Sequence, residues 1–313
     1  MEVVLAYLLD LLIGDPEGYP HPGRIIGKVV SHLESILRKY AKSNRALKIA
    51  GFILCGLTVT LAFAATYVLL YIAGLIHPYL KYALDVLIIY TCLATKDLGK
   101  AAGRVYEALA KGDIVEARRR LSYIVSRDTD RLDVENISRG TIETVAENIS
   151  DGIIAPMFYA FIGGAPLAIF YKAASTLDSM VGYGNEKYLD LGFASAKLDD
   201  ILNFIPARIT GFLIVIAAFL LGYDYRNSWR IFLRDRLKHQ SPNSAHGEAA
   251  VAGALNIQLG GLNYYFGKPE LKPTLGDGKE KIIPQHIKYS IKIMYMTSFL
   301  GLVVFYGMKI LVP

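Results

Sequence analysis

Three acidic residues in the middle of the chain share one face of a predicted helix. Glu143, Glu147 and Asp151 are spaced i, i+4 and i+8 on a helix predicted from about 133 to 150. Carboxylates stacked in this way repel each other unless a cation or a basic partner lies between them, and their oxygens are ligands for Mg²⁺. We therefore predict a magnesium site on this face. The alternative is a solvated face on which Arg139 pairs with Glu143.

A segment near the N-terminus, rich in proline and glycine, is expected to bring three polar side chains together. The sequence GDPEGYPHPGR covers 14–24, and its three prolines and three glycines exclude regular secondary structure. A tight, rigid loop of this kind would place Asp15, His21 and Arg24 close to one another as substrate contacts. The alternative is a structural turn in which Asp15 caps backbone amides and pairs with Arg24.

A third polar cluster begins inside an apolar stretch. Lys172 and Asp178 lie there, and ionisable groups in such places are costly and more often functional than decorative. The alternative is structural pairing, either of Lys172 with Asp178 or of Arg208 with Asp200. The polar residues that follow along the chain are Asn185, Glu186, Asp199, Asp200, Asn203 and Arg208.

A fourth cluster combines small, polar and aromatic residues. Asn243 and Glu248 flank the sequence SAHG, and GGLNYYFG follows at 260–267. Small residues allow the backbone to approach a ligand closely, and the aromatic residues could line a flat pocket. We predict that Asn243 and Glu248 contact substrate, whereas the lone His246 is more typical of a loop residue than of a metal ligand.

Long uncharged runs predict the elements that must position these clusters. Of the 313 residues 53% are apolar, and the mean hydropathy of +0.34 is too high for an ordinary soluble domain. No Asp, Glu, Lys or Arg occurs from 49 to 80, more than the roughly 20 residues that cross a bilayer as a helix. A turn near His77-Pro78 and a second apolar run at 82–95, broken only by Asp85, predict a hairpin. With the further apolar runs at 152–171, 209–223 and 293–313, we predict an all-α polytopic membrane protein with four or five transmembrane helices.

The charge distribution orients these segments. Six basic residues between 28 and 48 stand against one acid, which by the positive-inside tendency places that side in the cytoplasm. We therefore predict a multi-pass protein of the cell (cytoplasmic) membrane. The predicted organisation is an N-terminal polar loop and helix at 1–48, a transmembrane hairpin at 49–95, a charged cytoplasmic helical segment at 96–151, membrane segments with an intervening polar loop at 152–223, a cytoplasmic loop region at 224–292 and a C-terminal transmembrane helix at 293–313.

Composition and missing motifs exclude several classes of function. Two cysteines cannot form a disulfide scaffold or a four-thiolate zinc site, and a net charge of +6 spread among many acids is not that of a nucleic-acid-binding protein. The signatures GxxxxGK[ST], GxGxxG, HExxH and GxSxG are absent, so a nucleotide would be held without the usual phosphate loop. No internal repeat is visible, which disfavours a transporter built from two related halves.

The clusters taken together resemble the adenosylcobinamide-phosphate synthase family of cobalamin-biosynthesis membrane proteins, the CbiB/CobD family. The resemblance covers well over a third of the chain in the right order, and its VAEN-SDG, LDSMVGY-NE and LDD-LN-IPAR runs are very specific. The matching stretches are GDPEGYPHPGR at 14–24, SRDT at 126–129, ETVAENISDGIIAPMFY at 143–159, KAASTLDSMVGYGNEKY at 172–188, ASAKLDDILNFIPARIT at 194–210, SPN at 241–243, EAAVAGAL at 248–255 and GGLNYYFG at 260–267.

The resemblance implies a reaction in coenzyme B12 assembly. An amide bond would join a propionate carboxyl of adenosylcobyric acid to the amine of aminopropanol or of its O-phosphate, with ATP and Mg²⁺ as cofactors. The corrinoid is then a substrate and not a cofactor, and no protein ligand to its cobalt is required. The partners implied are the lipid bilayer, other cobalamin-assembly enzymes or a second copy of the chain, and no nucleic acid.

The residue types suit such chemistry, because activating a carboxylate as an acyl phosphate needs cations, metal ligands and a base. We predict that Arg127 and Lys172 clamp phosphate and that Asp199 or Asp200 accepts the proton of the amine. The candidate catalytic residues are Arg127, Lys172, Asp178, Asp199 and Asp200; the candidate metal ligands are Glu143, Glu147 and Asp151; the candidate substrate contacts are Asp15, His21, Arg24, Asn148, Asn185, Glu186, Asn203, Arg208, Asn243 and Glu248.

All four clusters are expected to meet in a single pocket at the cytoplasmic face of the membrane. Two other classes of function stay open from the residues alone. A membrane transporter would also keep Asp85, Lys172 and Asp178 in the bilayer. A non-catalytic membrane scaffold would bind the corrinoid and tolerate loss of the acidic residues.

Overall fold

The described part of the chain is almost entirely helical. The computed structural model describes residues 1–15, 21–183 and 187–311. These residues confirm the predicted all-α class and add one β-hairpin. In chain order the elements are α1 (Glu2–Ile13), α2 (Pro22–Tyr40), α3 (Asn44–Ile76), α4 (Pro78–Cys92), α5 (Thr95–Ala110), α6 (Ile114–Ser122), α7 (Val134–Ile149), a π-helical segment (Ser150–Ile154), α8 (Ala155–Val181), α9 (Phe193–Leu220), α10 (Tyr225–Asp235), α11 (Ala245–Ala254), β1 (Leu259–Tyr265), β2 (Lys268–Leu275) and α12 (Gln285–Leu311).

Four helices in the described residues are long and apolar enough to cross a membrane. They cover Asn44–Ile76, Val134–Val181, Phe193–Leu220 and Gln285–Leu311. This confirms the polytopic membrane class and agrees with the lower of the two predicted crossing numbers. The second arm of the predicted hairpin is α4, whose 15 residues fall short of the roughly 20 that a bilayer crossing needs.

The chain divides into two compact units. The first unit comprises residues 1–94 and 155–203, and the second comprises 95–154 and 204–311. In the first unit, α3 packs against α2, α4 and α8, while α1 packs against α4 and α8. Its core is a cluster of buried apolar side chains contributed by Ile26, Val30, Ala50, Leu54, Cys55, Val59, Ala173, Ala174, Leu177, Val181, Leu191 and Ala194.

A break in α8 explains the glycines and prolines of the predicted 152–171 membrane segment. Gly163 and Gly164 leave helical geometry, and Gly164 adopts a φ of 64°, which glycine tolerates without a steric penalty. The carboxylate of Asp85 on α4 accepts a hydrogen bond of 2.9 Å from the N–H of Ala165, and Pro166 follows in the first turn of the resumed helix. The segment is therefore one broken helix, and Asp85 caps its second half.

The second unit gathers short helices around α7. Within it, α7 packs against α5, α6, α11, α12 and β1, and α10 packs against α11. The strands β1 and β2 pair as an antiparallel hairpin in which Tyr265 is opposite Lys268. Its two-residue turn is Phe266-Gly267, and both residues have a positive φ (52° and 75°), as a type I′ turn requires.

The role of Asp85 is testable by substitution. We expect Asp85→Ala to lower the free energy of unfolding by about 1 kcal/mol, because the N–H of Ala165 loses its acceptor within an apolar environment. Asp85→Asn keeps an oxygen acceptor and should retain most of the stability. Thermal unfolding of the purified protein in detergent measures both. Equal losses in the two variants would contradict the capping role.

Candidate functional site

A buried ion pair ties the β-hairpin to α7. Arg127 donates from Nη2 to Glu143 Oε2 at 2.5 Å, and their side chains are only 8% and 6% exposed. The other carboxylate oxygen, Oε1, accepts a hydrogen bond of 2.7 Å from the N–H of Gly260. Arg127 also donates from Nη1 to Asn263 Oδ1 at 2.7 Å. Glu143 therefore connects the SRDT loop, α7 and β1 through contacts to both of its oxygens.

Arg139 strengthens the same connection one helical turn before Glu143. It donates to the carbonyl oxygens of Gly260 and Leu262, the latter at 2.9 Å. Its Nε lies 3.9 Å from Glu143 Oε1, so the i, i+4 contact that formed the alternative interpretation of this face is present. Both arginines of this region thus hold the hairpin in place.

Asp128 of the SRDT loop holds the tip of the hairpin. Its backbone N–H donates to the carbonyl oxygen of Tyr264 at 2.8 Å, and its carboxylate accepts from the N–H groups of Phe266 and Gly267 at 3.2 and 2.7 Å. These bonds compensate for the positive φ of Phe266, a backbone conformation that is uncommon for a residue other than glycine. Two of the motifs found in the sequence therefore meet here.

A polar cavity of about 120 Å³ lies beside this ion pair in the second unit. Glu147 enters it one helical turn after Glu143, Glu248 enters from α11, and Lys272 enters from β2. The full lining is Ile124, Val125, Ser126, Arg127, Glu143, Thr144, Glu147, Asn148, Glu248, Tyr265 and Lys272. Cations and carboxylates therefore face each other across a small volume.

Close helix packing places Glu248 in this cavity. A β-carbon at Gly247 would lie 2.4 Å from the carbonyl oxygen of Ala146, so only glycine lets α11 approach α7 so closely. The hydroxyl of Ser228 donates to the carbonyl oxygen of Ala250 at 2.8 Å and fixes α11 from its α10 side. The small residues of this motif thus admit neighbouring helices, whereas the sequence suggested that they admit a ligand.

The charges around Glu143 and Glu248 act strongly on one another because these two side chains are shielded from water. Burial, together with the negative charges of Glu143 and Glu147, raises the pKa of the Glu248 carboxyl well above its usual range. Burial alone would lower the pKa of Lys272, but its neighbours Tyr265 and Glu147 raise it above its ordinary value. The cavity therefore holds a charged ammonium beside a carboxyl group that retains its proton to an unusually high pH.

The predicted three-carboxylate magnesium site is not assembled. Glu143 bonds to Arg127 and Gly260 through its two oxygens, and Asp151 is not among the residues that line the cavity. Among the residues that the structure describes, no three His, Cys, Asp or Glu side chains are grouped to hold a metal ion together. Glu143, Glu147 and Asp151 are equally spaced on one helix face but have different roles. Glu143 differs because its partners Arg127 and Gly260 come from other segments.

In the first unit, the contacts of His21 stabilise the local structure at the start of α2. Its Nδ1 accepts from the N–H of Gly23 at 3.1 Å at the start of α2, and its Nε2 lies 3.0 Å from Asp15 Oδ2. Since Nδ1 accepts, Nε2 must carry the hydrogen that points to Asp15. Burial lowers the pKa of His21, with Asp15 acting against the shift and Lys172 adding to it. The predicted proximity of Asp15 and His21 is present, and His21 caps a helix.

Asn203 also has structural partners in the first unit. Its Oδ1 accepts from the hydroxyl of Tyr171 at 2.8 Å, and its Nδ2 donates to Asp199 Oδ2 at 3.0 Å. The ammonium of Lys197 lies 3.1 Å from Asp200 Oδ2. Asn203 and both aspartates are therefore engaged with neighbouring side chains.

The remaining candidate residues divide between the two units. Arg24, Lys172 and Asp178 belong to the first unit, and Asn148, Arg208 and Asn243 belong to the second. Asn185 and Glu186 lie outside the described residues. The second unit brings together Arg127, Glu143, Glu147, Asn148 and Glu248 at one cavity. The four clusters are divided between the two units. Their convergence in a single pocket therefore stays a prediction.

Lys272 and Thr144, which line the cavity, were not predicted from the sequence, and Tyr265 was not singled out. Lys272 occupies the strand KPELKPTL, whose two prolines argue against a strand. The turn residues could have indicated the hairpin, because Phe266-Gly267 separates two short runs of strand length. Nothing in the sequence distinguishes Lys272 from the exposed Lys268 on the same strand.

Comparisons with known proteins connect this chain to a family. A family model described as CobD/CbiB protein matches residues 3–294. The chain is 53% identical to the cobalamin biosynthesis protein CobD of Clostridium perfringens, covering 97% of this chain and 96% of that protein. It is 49% identical to CobD of Listeria monocytogenes (98% and 97% covered) and 46% identical to the cobalamin biosynthesis protein CbiB of Salmonella arizonae (96% and 94% covered). No solved structure matches the chain.

The buried ion pair predicts a large loss on truncation of one partner. We expect Glu143→Ala to lower the free energy of unfolding by about 3 to 5 kcal/mol, because the Arg127 charge stays buried without its counter-charge. Denaturant unfolding in detergent measures the loss, and proteolysis within 259–275 should accelerate in parallel. Glu135→Ala, an exposed position on the same helix, is the control. Equal stability of the two variants would contradict the connecting role of Glu143.

The raised pKa of Glu248 predicts a pH-dependent stability. Since its pKa is higher in the folded than in the unfolded state, the stabilisation is full below the unfolded value and is lost as the pH rises through the folded value. We expect Glu248→Gln to match the wild type near pH 4 and to unfold at a higher temperature at pH 8, measured in metal-free buffer. Glu270→Gln, at an exposed position, should show no such trend. A Glu248→Gln difference that does not change with pH would contradict the prediction.

Proposed function

We propose a reaction from one premise: this chain belongs to the CobD/CbiB protein family. It functions in cobalamin biosynthesis, as its named relatives do. The specific step that we propose joins the amine of aminopropanol, or of its O-phosphate, to a propionate carboxyl of adenosylcobyric acid. The site of this ligase would be at the cytoplasmic face of the cell membrane, which the four candidate membrane-spanning helices of the described residues and the basic 28–48 segment support.

The observation that carries the proposal is the pairing of cations and carboxylates around one small cavity. Lys272 and Arg127 supply positive charge where a carboxylate or a phosphoryl group would bind. The volume of about 120 Å³ suits a small charged group, so the propionate arm would enter while the corrinoid ring stays outside. Arg127 is held in place by Glu143, which orients its guanidinium before a substrate arrives.

Glu248 is the residue that we propose as proton acceptor. An alkyl ammonium resembling lysine titrates near 10.4 and must lose a proton before it can attack a carbonyl carbon. Glu248 first releases its own proton to solvent, and the resulting carboxylate, because its pKa is raised, binds the proton of the ammonium better than an ordinary carboxylate does. The ammonium gives one proton to Glu248 Oε, and the amine nitrogen then bonds to the carbonyl carbon. The bond from that carbon to the phosphate oxygen breaks, and the second proton of the nitrogen leaves with the phosphate.

The cavity also has a ligand for magnesium. The side chain of Glu147 is accessible there, and Mg²⁺ is commonly bound by one or two carboxylates together with substrate phosphates. When bound, ATP would supply the phosphoryl group that activates the carboxyl, and Mg²⁺ would offset the negative charge of its phosphates. The role of Glu147 is to hold the metal, and the role of Lys272 and Arg127 is to stabilise the negative charge of the phosphoryl group.

These assignments replace part of the sequence prediction. We assign the base to Glu248 because Asp199 accepts from Asn203 and Asp200 pairs with Lys197. Lys272 takes the phosphate-binding role that the sequence suggested for Lys172. Lys172 and Asp178 belong to the first unit, and we assign them no chemical step.

A single assay tests the proposal. Purified protein in detergent is incubated with adenosylcobyric acid, aminopropanol phosphate, ATP and Mg²⁺, and the amide is detected by mass spectrometry. We expect Lys272→Gln to reduce amide formation by at least roughly 100-fold, the loss typical of removing one transition-state contact. Lys268→Gln, at an exposed position on the same strand, should retain wild-type turnover.

The possible outcomes separate the proposed ligase from the two other classes. Uptake of substrate by sealed vesicles without amide formation would indicate a transporter. Corrinoid binding without amide formation, unaffected by Glu248→Gln, would indicate a scaffold. Amide formation that survives both Lys272→Gln and Glu248→Gln would keep the reaction and refute this cavity as its site.

A further inference from the structure

Two arginines of the second unit have no carboxylate partner among the described residues. Arg208 lies on α9, and Arg236 follows directly after α10. Arg208 donates from Nη1 to the carbonyl oxygen of Phe204 at 2.6 Å and to Asn243 Oδ1 at 3.2 Å, while the buried Nε of Arg236 has no acceptor. By contrast Arg234, two residues before Arg236, lies within 2.7 Å of Asp235.

Buried residues lie between the two arginines. Asn243 is 6% exposed, and its backbone carbonyl oxygen accepts from the backbone N–H of His246 at 3.1 Å. His246 is fully buried, and neither of its ring nitrogens has a hydrogen-bond partner in the described chain. Its ring centroid lies 5.8 Å from that of Phe232, and the guanidinium carbon of Arg236 lies 5.7 Å from the same Phe232 centroid. The contacts thus run from Arg208 through Asn243, His246 and Phe232 to Arg236.

The charges that act on His246 come from two arginines, and neither arginine forms an ion pair with a carboxylate of the described residues. Burial first, and then the charges of Arg208 and Arg236, lower the pKa of His246 to about 4. The two guanidinium charges also act unfavourably on each other. A buried neutral histidine beside two cations that carboxylates do not compensate is an arrangement that a bound anion would stabilise.

We propose that Arg208, Arg236, Asn243 and His246 form a binding site for a phosphate group. Phosphate fits better than carboxylate, because guanidinium groups from two different elements and a buried imidazole need an anion with more than two oxygens. None of these four residues lines the polar cavity between α7, α11 and the hairpin, so the site is additional to the proposed reaction centre.

The phosphate has two possible sources with the same chemistry. A free phosphate or phosphate monoester would come from solution. A phospholipid headgroup would come from the bilayer, since Arg208 lies on a candidate membrane-spanning helix beside the exposed side chains of Phe204 and Ile205. The test therefore needs one experimental arm for each source.

The test compares Arg236→Gln with a matched control. Arg226→Gln removes an arginine of α10 whose guanidinium is fully exposed and lies next to Tyr225. Full-length protein in detergent is titrated with inorganic phosphate by calorimetry, and protein in phosphatidylglycerol nanodiscs is examined for retained lipid by native mass spectrometry. We expect Arg236→Gln to weaken phosphate binding or lipid retention by at least roughly 10-fold, while Arg226→Gln leaves both unchanged.

The outcomes separate the two sources. If Arg236→Gln weakens phosphate binding in calorimetry alone, the phosphate comes from solution. If it lowers lipid retention in the nanodiscs alone, the phosphate belongs to a lipid headgroup. Identical behaviour of Arg236→Gln and Arg226→Gln in both arms overturns the proposal.

A second measurement uses the wild-type protein, so misfolding of a variant does not affect its result. Bound phosphate adds negative charge beside His246, so its pKa should rise from about 4 when phosphate or lipid is present. Histidine-selective isotope labelling and NMR titration report this value in the wild-type protein. An unchanged His246 titration at saturating phosphate and in lipid nanodiscs would also overturn the proposal.

Discussion

The buried contact of Arg127 and Gly260 with Glu143 is the interaction on which the candidate site depends. It joins the SRDT loop and α7 to β1, whose Gly260 lies 117 residues after Glu143, and it fixes the hairpin that carries Tyr265 and Lys272. A buried ion pair of this kind contributes little net stability compared with apolar packing, but it strongly disfavours any arrangement that leaves one charge alone. Its value to this protein is therefore positional: it determines where the hairpin lies relative to α7.

The same ion pair sets the electrostatics of the neighbouring carboxylates. The negative charge of the Glu143 carboxylate, which is buried against Arg127, raises the pKa of Glu248, because both glutamate side chains are shielded from water. Lys272 and Arg127 partly offset that charge. The ion pair therefore determines both the position of the hairpin and the charges in the cavity. A change to one also changes the other.

Hydropathy and motif spacing predicted much of this protein, for identifiable physical reasons. A bilayer requires long apolar helices, so α3, α12 and the second half of α9 were visible as uncharged or nearly uncharged runs. The charged first half of α9 was predicted as a polar loop, and the 152–171 run did not establish that α8 is one broken helix. The hairpin was not predicted, because Pro269 and Pro273 disfavour a strand and its pairing is an edge-to-edge contact of only two strands. The roles of Glu143 and Glu147 could not be separated by spacing, since Glu143 differs through its contacts with Arg127, 16 residues before it, and Gly260, 117 residues after it.

Chain order gives the connecting ion pair a consequence for biosynthesis. Glu143 is translated 117 residues before Gly260, its backbone partner, and Arg127 is translated 136 residues before Asn263. While the ribosome adds the intervening residues, α7 can form but the cavity cannot, because Lys272 has not yet been added. A nascent or prematurely terminated chain that ends before 272 therefore carries the acidic helix without the opposing ammonium, and the cavity is complete only after residue 272 has been added.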